Sequence, residues 1–85
     1  AYSSGLVRAH ILITLAPKSL AHVTTALAKL KAMTALHSVS GSFDLIAIIA
    51  APSIAELDRL IDEIGTIEGV ERTLSSIILS TRIMR

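Results

Sequence analysis

Eighty-five residues make one small domain, yet 52% of them are apolar and 18% charged, more hydrophobe than so small a sphere covers without a second copy of the chain. Eight lysines and arginines stand against seven acids, a net +1, and they are dispersed along a chain with one Tyr and one Phe, which excludes the clustered basic face of a nucleic-acid binder. The absence of cysteine excludes disulfides and thiolate metal sites, and the longest apolar run, Leu45 to Pro52, is far too short to span a bilayer.

Residues 1–5, AYSSG, read as a flexible N-terminal remnant of a trimmed chain, with a single domain over 1–85. Residues 7–15, VRAHILITL, then alternate. Val7, Ala9, Ile11, Ile13 and Leu15 share one face, and Arg8, His10, Leu12 and Thr14 share the other, the period of a strand. Pro17 breaks the run and Ser19 is placed to cap a helix. Leu20, Val23, Leu27 and Leu30 recur at helical spacing, predicting a helix that ends near Met33.

Ala35 to Ser40 is weakly marked as a second strand. Phe43 to Ala51, FDLIAIIAA, is a strong third strand, apolar on both faces beyond Asp44. After Pro52, Ser53 and Glu56 form a capping box, and Ile54, Leu57, Ile61 and Ile64 stripe a second helix whose wet face carries Asp58, Arg59, Asp62 and Glu63. Gly65 to Gly69 is its exit. Val70 to Ile83, rich in Thr, Ser and Ile, reads as one long last strand.

The order is βαββαβ, with LAPKSL (15–20) and AAPSI (50–54) repeating one strand–Pro–Ser–helix device. Two such halves joined by a hairpin predict the α+β ferredoxin-like split βαβ, a four-stranded antiparallel sheet with both helices on one face. The other face then stays bare in a monomer. Either set of strand-three residues left on it, Ile46, Ile48 and Ala50 or Leu45, Ala47 and Ile49, forfeits about 25 cal/mol for each Å² of apolar surface in water. The expectation is a dimer formed face to face through the sheets.

Catalytic and metal chemistry find little footing. His10, His22 and His37 fall on different elements, without the i, i+4 spacing or neighbouring carboxylates that zinc favours. No phosphate-cradling glycine motif and no nucleophile elbow is present, so neither an enzyme nor a cofactor is expected. The turn Ser40-Gly41-Ser42-Phe43-Asp44 stands out. Gly41 can supply positive φ and Asp44 can bond a nearby backbone N–H, as in any turn. The same groups can also hold a free amino acid, N–H groups taking its carboxylate and Asp44 its ammonium. On the last strand Glu71, Thr73 and Ser75 alternate onto one side, the geometry of a polar floor on the bare sheet face, although Thr and Ser are ordinary strand residues.

At these residues the chain resembles the effector-binding C-terminal (RAM) domain of the Lrp/AsnC, or feast/famine, transcription regulators. Three stretches carry the resemblance in order: VSGSFDLIAI with its Gly-x-x-Asp hairpin, SIAELDRLIDEIGTIEGV, and ERTLSSIIL. It implies a homodimer with facing sheets, assembling further into tetramers or octamers, and a small-molecule effector bound between dimers near the hairpin. Carried across, Ser40, Gly41, Ser42, Phe43 and Asp44, with Glu71, Thr73 and Ser75, are the effector-binding residues. Contact with DNA is implied only through a helix-turn-helix domain, for which these residues leave no room. Either a truncated regulator, which the opening AYSSG favours, or a stand-alone version acting through its partners is expected, cytoplasmic and with no membrane partner. An ACT-type regulatory domain of a metabolic enzyme shares βαββαβ but places a binding glycine after its first strand, where this chain has Ala16-Pro17-Lys18-Ser19. A small dimeric α/β-barrel enzyme would need polar groups between sheet and helices, where this chain offers aliphatics.

Overall fold

The computed structural model describes residues 5–85. Residues 1–4, most of the expected N-terminal remnant, lie outside the described residues. The elements run β1 (Val7–Leu15), α1 (Leu20–Ala28), β2 (Met33–Ser38), β3 (Leu45–Ala51), α2 (Ile54–Gly65) and β4 (Val70–Ile77). The strands form one sheet in the order β2-β3-β1-β4, and β1–β3, β1–β4 and β2–β3 all pair antiparallel. This is the ferredoxin-like α+β arrangement the element order predicts.

Alternation decides which face is buried. Ala9, Ile11 and Ile13 of β1 and Leu45, Ala47, Ile49 and Ala51 of β3 pack in one cluster with Val23 and Leu27 of α1 and Leu57, Leu60 and Ile64 of α2. The interleaved residues Leu12, Ile46, Ile48 and Ala50 are half-buried and His10 is exposed. Antiparallel partners share a face, so Leu74 and Ser76, opposite Leu12 and His10, also lie on the helix-free side. Leu74 is 56% exposed there. The helix-free face is therefore largely apolar along its middle.

The two helices start differently. Ser53 is extended, and its Oγ accepts the N–H of Glu56 at 3.2 Å, one half of the expected capping box. Ser19 is already helical (φ −101°, ψ −3°), and its side chain makes no capping bond. Gly69 explains why. A Cβ on Gly69 would lie 2.7 Å from Ser19 Cβ and 2.8 Å from its Oγ, so Ser19 is packed on the Gly69 backbone. The Gly69 carbonyl also accepts the N–H of Ala16 at 2.8 Å. Only a residue without a side chain permits this approach, and φ +100° at Gly69 favours glycine independently.

Several boundaries move. The hairpin strands are shorter at the turn than expected, β2 ending at Ser38 instead of Ser40 and β3 starting at Leu45 instead of Phe43. Helix α1 stops at Ala28, because the N–H groups of Lys29 and Leu30 close three-residue turns onto Ala26 and Leu27; Leu30 still packs on the core. Strand β2 starts earlier, at Met33, since the sheet extends to Ala32, whose carbonyl accepts the N–H of Ala50 at 3.0 Å. Strand β4 ends at Ile77 instead of Ile83. It is an edge strand with β1 as its neighbour, and pairing ends where β1 does, with Ile78 N–H on the Arg8 carbonyl. Beyond that point Leu79, Ile83 and Met84 are exposed.

Candidate functional site

The β2–β3 connection is held at its base by main-chain bonds. Val39 N–H reaches the Asp44 carbonyl at 3.1 Å, and Asp44 N–H reaches the Ile13 carbonyl at 2.9 Å. Gly41 turns the chain at φ +104°, as expected for a residue at this point. A Cβ there would meet nothing within 4 Å, so its requirement is conformational. The Asp44 side chain continues the pattern: Oδ2 accepts the N–H of Leu15 at 2.7 Å. Asp44 thus clamps the end of β1, the ordinary role open to it, and no other bond to its carboxylate is formed among the described residues.

Leu15 leads into the β1–α1 turn. Ser19 N–H bonds the Ala16 carbonyl at 3.2 Å, with Pro17 and Lys18 at the two central positions and Lys18 at φ +65°. Proline followed by a positive φ is the pattern of a type II turn, whose third position favours glycine. A lysine held there costs roughly 1–2 kcal/mol of left-handed strain. Between this turn and the hairpin base lies an open cleft of about 360 Å³, lined by Leu15, Ala16, Pro17, Lys18, Leu20, Ser38 and Asp44.

Of the eight predicted site residues, Asp44 alone lines this cleft. Ser40, Gly41 and Ser42 lie on the hairpin beside it, with Gly41 and Ser42 exposed and Ser40 at its base. Phe43 is half-buried and turns toward β4, where the Arg72 guanidinium lies 5.5 Å from its ring centroid, within cation–π range. Thr73 and Ser75 pair with Ile13 and Ile11, which puts them on the helix-covered face, a correction to the floor expected on the bare face. The alternation itself holds, but only the register with β1 tells which side it serves. Glu71 falls at a break in that register, between Arg72 opposite Thr14 and Val70 opposite Leu15. β1 separates β3 from β4, and none of these three residues lines the cleft.

Lys18, Leu20 and Ser38 complete the cleft, and no sequence motif marks them as site residues. Pro17, followed by a residue that must accept positive φ to close the turn, is the available signal for Lys18. A second cleft, about 330 Å³, runs between the α1–β2 turn and α2. Lys29 and Lys31 line it, and within it Arg59 sits 3.0 Å from Glu56 and 3.5 Å from Glu63. The hydrogen bond it donates to Glu56, and then the charge of that carboxylate, push the Arg59 guanidinium above its ordinary value. Among the described residues no group of three His, Asp or Glu is placed to hold a metal, no polar side chain is buried in the core, and no helix is long and apolar enough to cross a membrane.

Fold and cleft together define a small ferredoxin-like domain with an open cleft and a bare sheet face. The sequence matches the family described as the Lrp/AsnC ligand binding domain over residues 8–85, and the chain belongs to that family. The HTH-type transcriptional regulator LysM of Saccharolobus solfataricus is 30% identical over 76 residues, 88% of this chain and 54% of that protein. The chain spans about half the length of the curated relatives it matches. Among solved structures, E. coli AsnC superposes with a TM-score of 0.85 at 28% identity, over 93% of this chain and 54% of that one. A Thermus thermophilus protein, TTHA0845, gives a TM-score of 0.84 at 28% identity over 92% of this chain and 99% of its own. The relatives matched in sequence are named as transcription regulators.

Proposed function

We propose that this chain is the effector-binding and assembly module of a cytoplasmic transcription regulator, and is not itself a catalyst. Its effector is an amino acid or a related small molecule, and binding shifts the balance among assemblies of the chain. The observation that carries this reading is Asp44: its carboxylate stands at the mouth of the cleft with one oxygen engaged by Leu15 N–H and the other uncommitted. The hairpin residues Ser40, Gly41, Ser42 and Phe43 stand beside the cleft without lining it, and are proposed to meet the effector from the rim. Glu71, Thr73 and Ser75, which do not line this cleft, are proposed to join the site from the β4 of a second copy.

Two copies joined through the helix-free face form the basic dimer, because Leu12, Ile46, Ile48 and Leu74 gain by leaving water. Higher assemblies then bring hairpins together. DNA contact belongs to the portion of the related regulators that these residues do not span. Titration calorimetry against the twenty common amino acids, paired with size measurement with and without each, tests the reading. Binding of at least one, accompanied by a shift in assembly, is the expected result. Absence of any binding removes the sensing role.

A further inference from the structure

Lys18 and Asp44 share the cleft at opposite charge without touching. Both line it, and neither joins an ion pair such as those Arg59 makes among the described residues. The two ends are fixed by different means. Asp44 is anchored at both its main-chain N–H and its Oδ2. Lys18 is anchored by a turn that closes on Ala16 and by φ +65°, a conformation lysine seldom takes. Strained backbone of this kind collects where a group must be held toward a ligand. Nothing in the packing asks for lysine at this position, since it is exposed and glycine would serve the turn better. Between the charges the cleft is lined by the apolar side chains of Leu15, Ala16, Pro17 and Leu20, the last 51% exposed, with Ser38 the one uncharged polar side chain.

Resting on the effector-binding reading above, we infer that Lys18 is the carboxylate anchor of the site. The ligand is accordingly a zwitterionic α-amino acid with an uncharged aliphatic side chain. Asp44 takes the ammonium through its uncommitted oxygen, and Lys18 takes the carboxylate. The side chain lies on Leu15, Pro17 and Leu20. An amino acid with a charged side chain brings a third charge for which the cleft lining holds no counterpart. Lys18 is thus a specificity-determining residue supplied by the β1–α1 turn, on the opposite side of the cleft from the hairpin.

The test uses calorimetry on the 85-residue chain with L-alanine, L-valine, L-leucine, L-isoleucine and L-methionine. Each is set beside the amine lacking its carboxylate and the acid lacking its ammonium; L-lysine, L-arginine, L-aspartate and L-glutamate complete the set. Lys18→Gly keeps the turn, because glycine adopts this φ freely, and a thermal melt verifies the fold. The variant is expected to bind the preferred aliphatic amino acid about tenfold or more weakly, the scale of one charge-assisted hydrogen bond. Its affinity for the matching amine should be unchanged. Equal loss for amino acid and amine, or no loss at all in a folded variant, overturns the role of Lys18 while leaving amino-acid sensing intact. Preference for a charged amino acid overturns the ligand class. Failure of the parent chain to bind any amino acid removes the sensing reading and this inference with it.

Discussion

Replacing Gly69 by alanine tests how the β1–α1 turn is held, and so how Lys18 is aimed. The new Cβ would lie 2.7 Å from Ser19 Cβ, 2.8 Å from Ser19 Oγ and 3.1 Å from Val23 Cγ2, against comfortable carbon separations of about 3.5–4.0 Å. Ser19 opens α1 and Val23 is a core residue, so relief requires the helix start to shift. Overpacking of this kind costs about 1–3 kcal/mol, and φ +100° at a residue with a side chain adds about 1–2 kcal/mol. A loss of about 2–5 kcal/mol is a large share of the roughly 4–13 kcal/mol that 85 residues typically hold. Urea denaturation at fixed protein concentration should show a lower midpoint with unchanged slope. Combining Gly69→Ala with Ser19→Gly separates the two causes: the coupling energy should return the overpacking part, about 1–3 kcal/mol, and leave the backbone part in place. Stability of Gly69→Ala within about 0.5 kcal/mol of the parent would refute the contact, and zero coupling to Ser19 would refute its assignment.

Ile48 sits on an inner strand, half-buried on the helix-free face opposite His10 and Ala35; Ile48→Lys should leave a folded monomer by sedimentation, and an intact dimer would move the interface elsewhere. Asp44→Ala removes both the charge and the acceptor for Leu15 N–H, and so should cost about 1 kcal/mol of stability as well as amino-acid binding. Asp44→Asn keeps an acceptor and should lose binding at nearly parental stability; equal binding by the Asn variant and the parent would take Asp44 out of the site. Gly41→Val should lower the melting temperature by several degrees, since a β-branched residue resists φ +104°, although nothing crowds the position. Ser53→Ala should cost about 1 kcal/mol by leaving Glu56 N–H without its cap.

The fold was legible because apolar period and breakers agree: strict alternation in β1, a Pro before each helix, and a Gly at the positive-φ turns of the hairpin and after α2. What escaped depends on pairing partners. The end of β4 is set by where β1 runs out, and Ile78 to Ile83 carry the same β-prone residues as the strand before them. The faces of Thr73 and Ser75 follow from register with Ile13 and Ile11, which composition does not encode. Asp44 was legible as an outlier in an apolar strand. Lys18 was not, because a lysine in a turn normally signals nothing, and its meaning comes from a torsion angle and from the cleft it shares.

The same incompleteness that makes the cleft a weak site in one chain suits it to regulation. A cleft of about 360 Å³ walled on one side by the β1–α1 turn and on the other by a hairpin base covers part of an amino acid and leaves the rest in water. On the proposed reading, contacts to that remainder come from a second copy, so the ligand's affinity differs between the assembled and unassembled states. A ligand shifts an equilibrium by no more than this difference. Linkage is reciprocal, so any factor by which assembly tightens the ligand is the factor by which the ligand tightens assembly. On the proposed reading, apparent affinity therefore rises with protein concentration in step with the ligand-induced change in assembly. A site with the same affinity in the assembled and unassembled states would bind independently of concentration, and could not move the assembly.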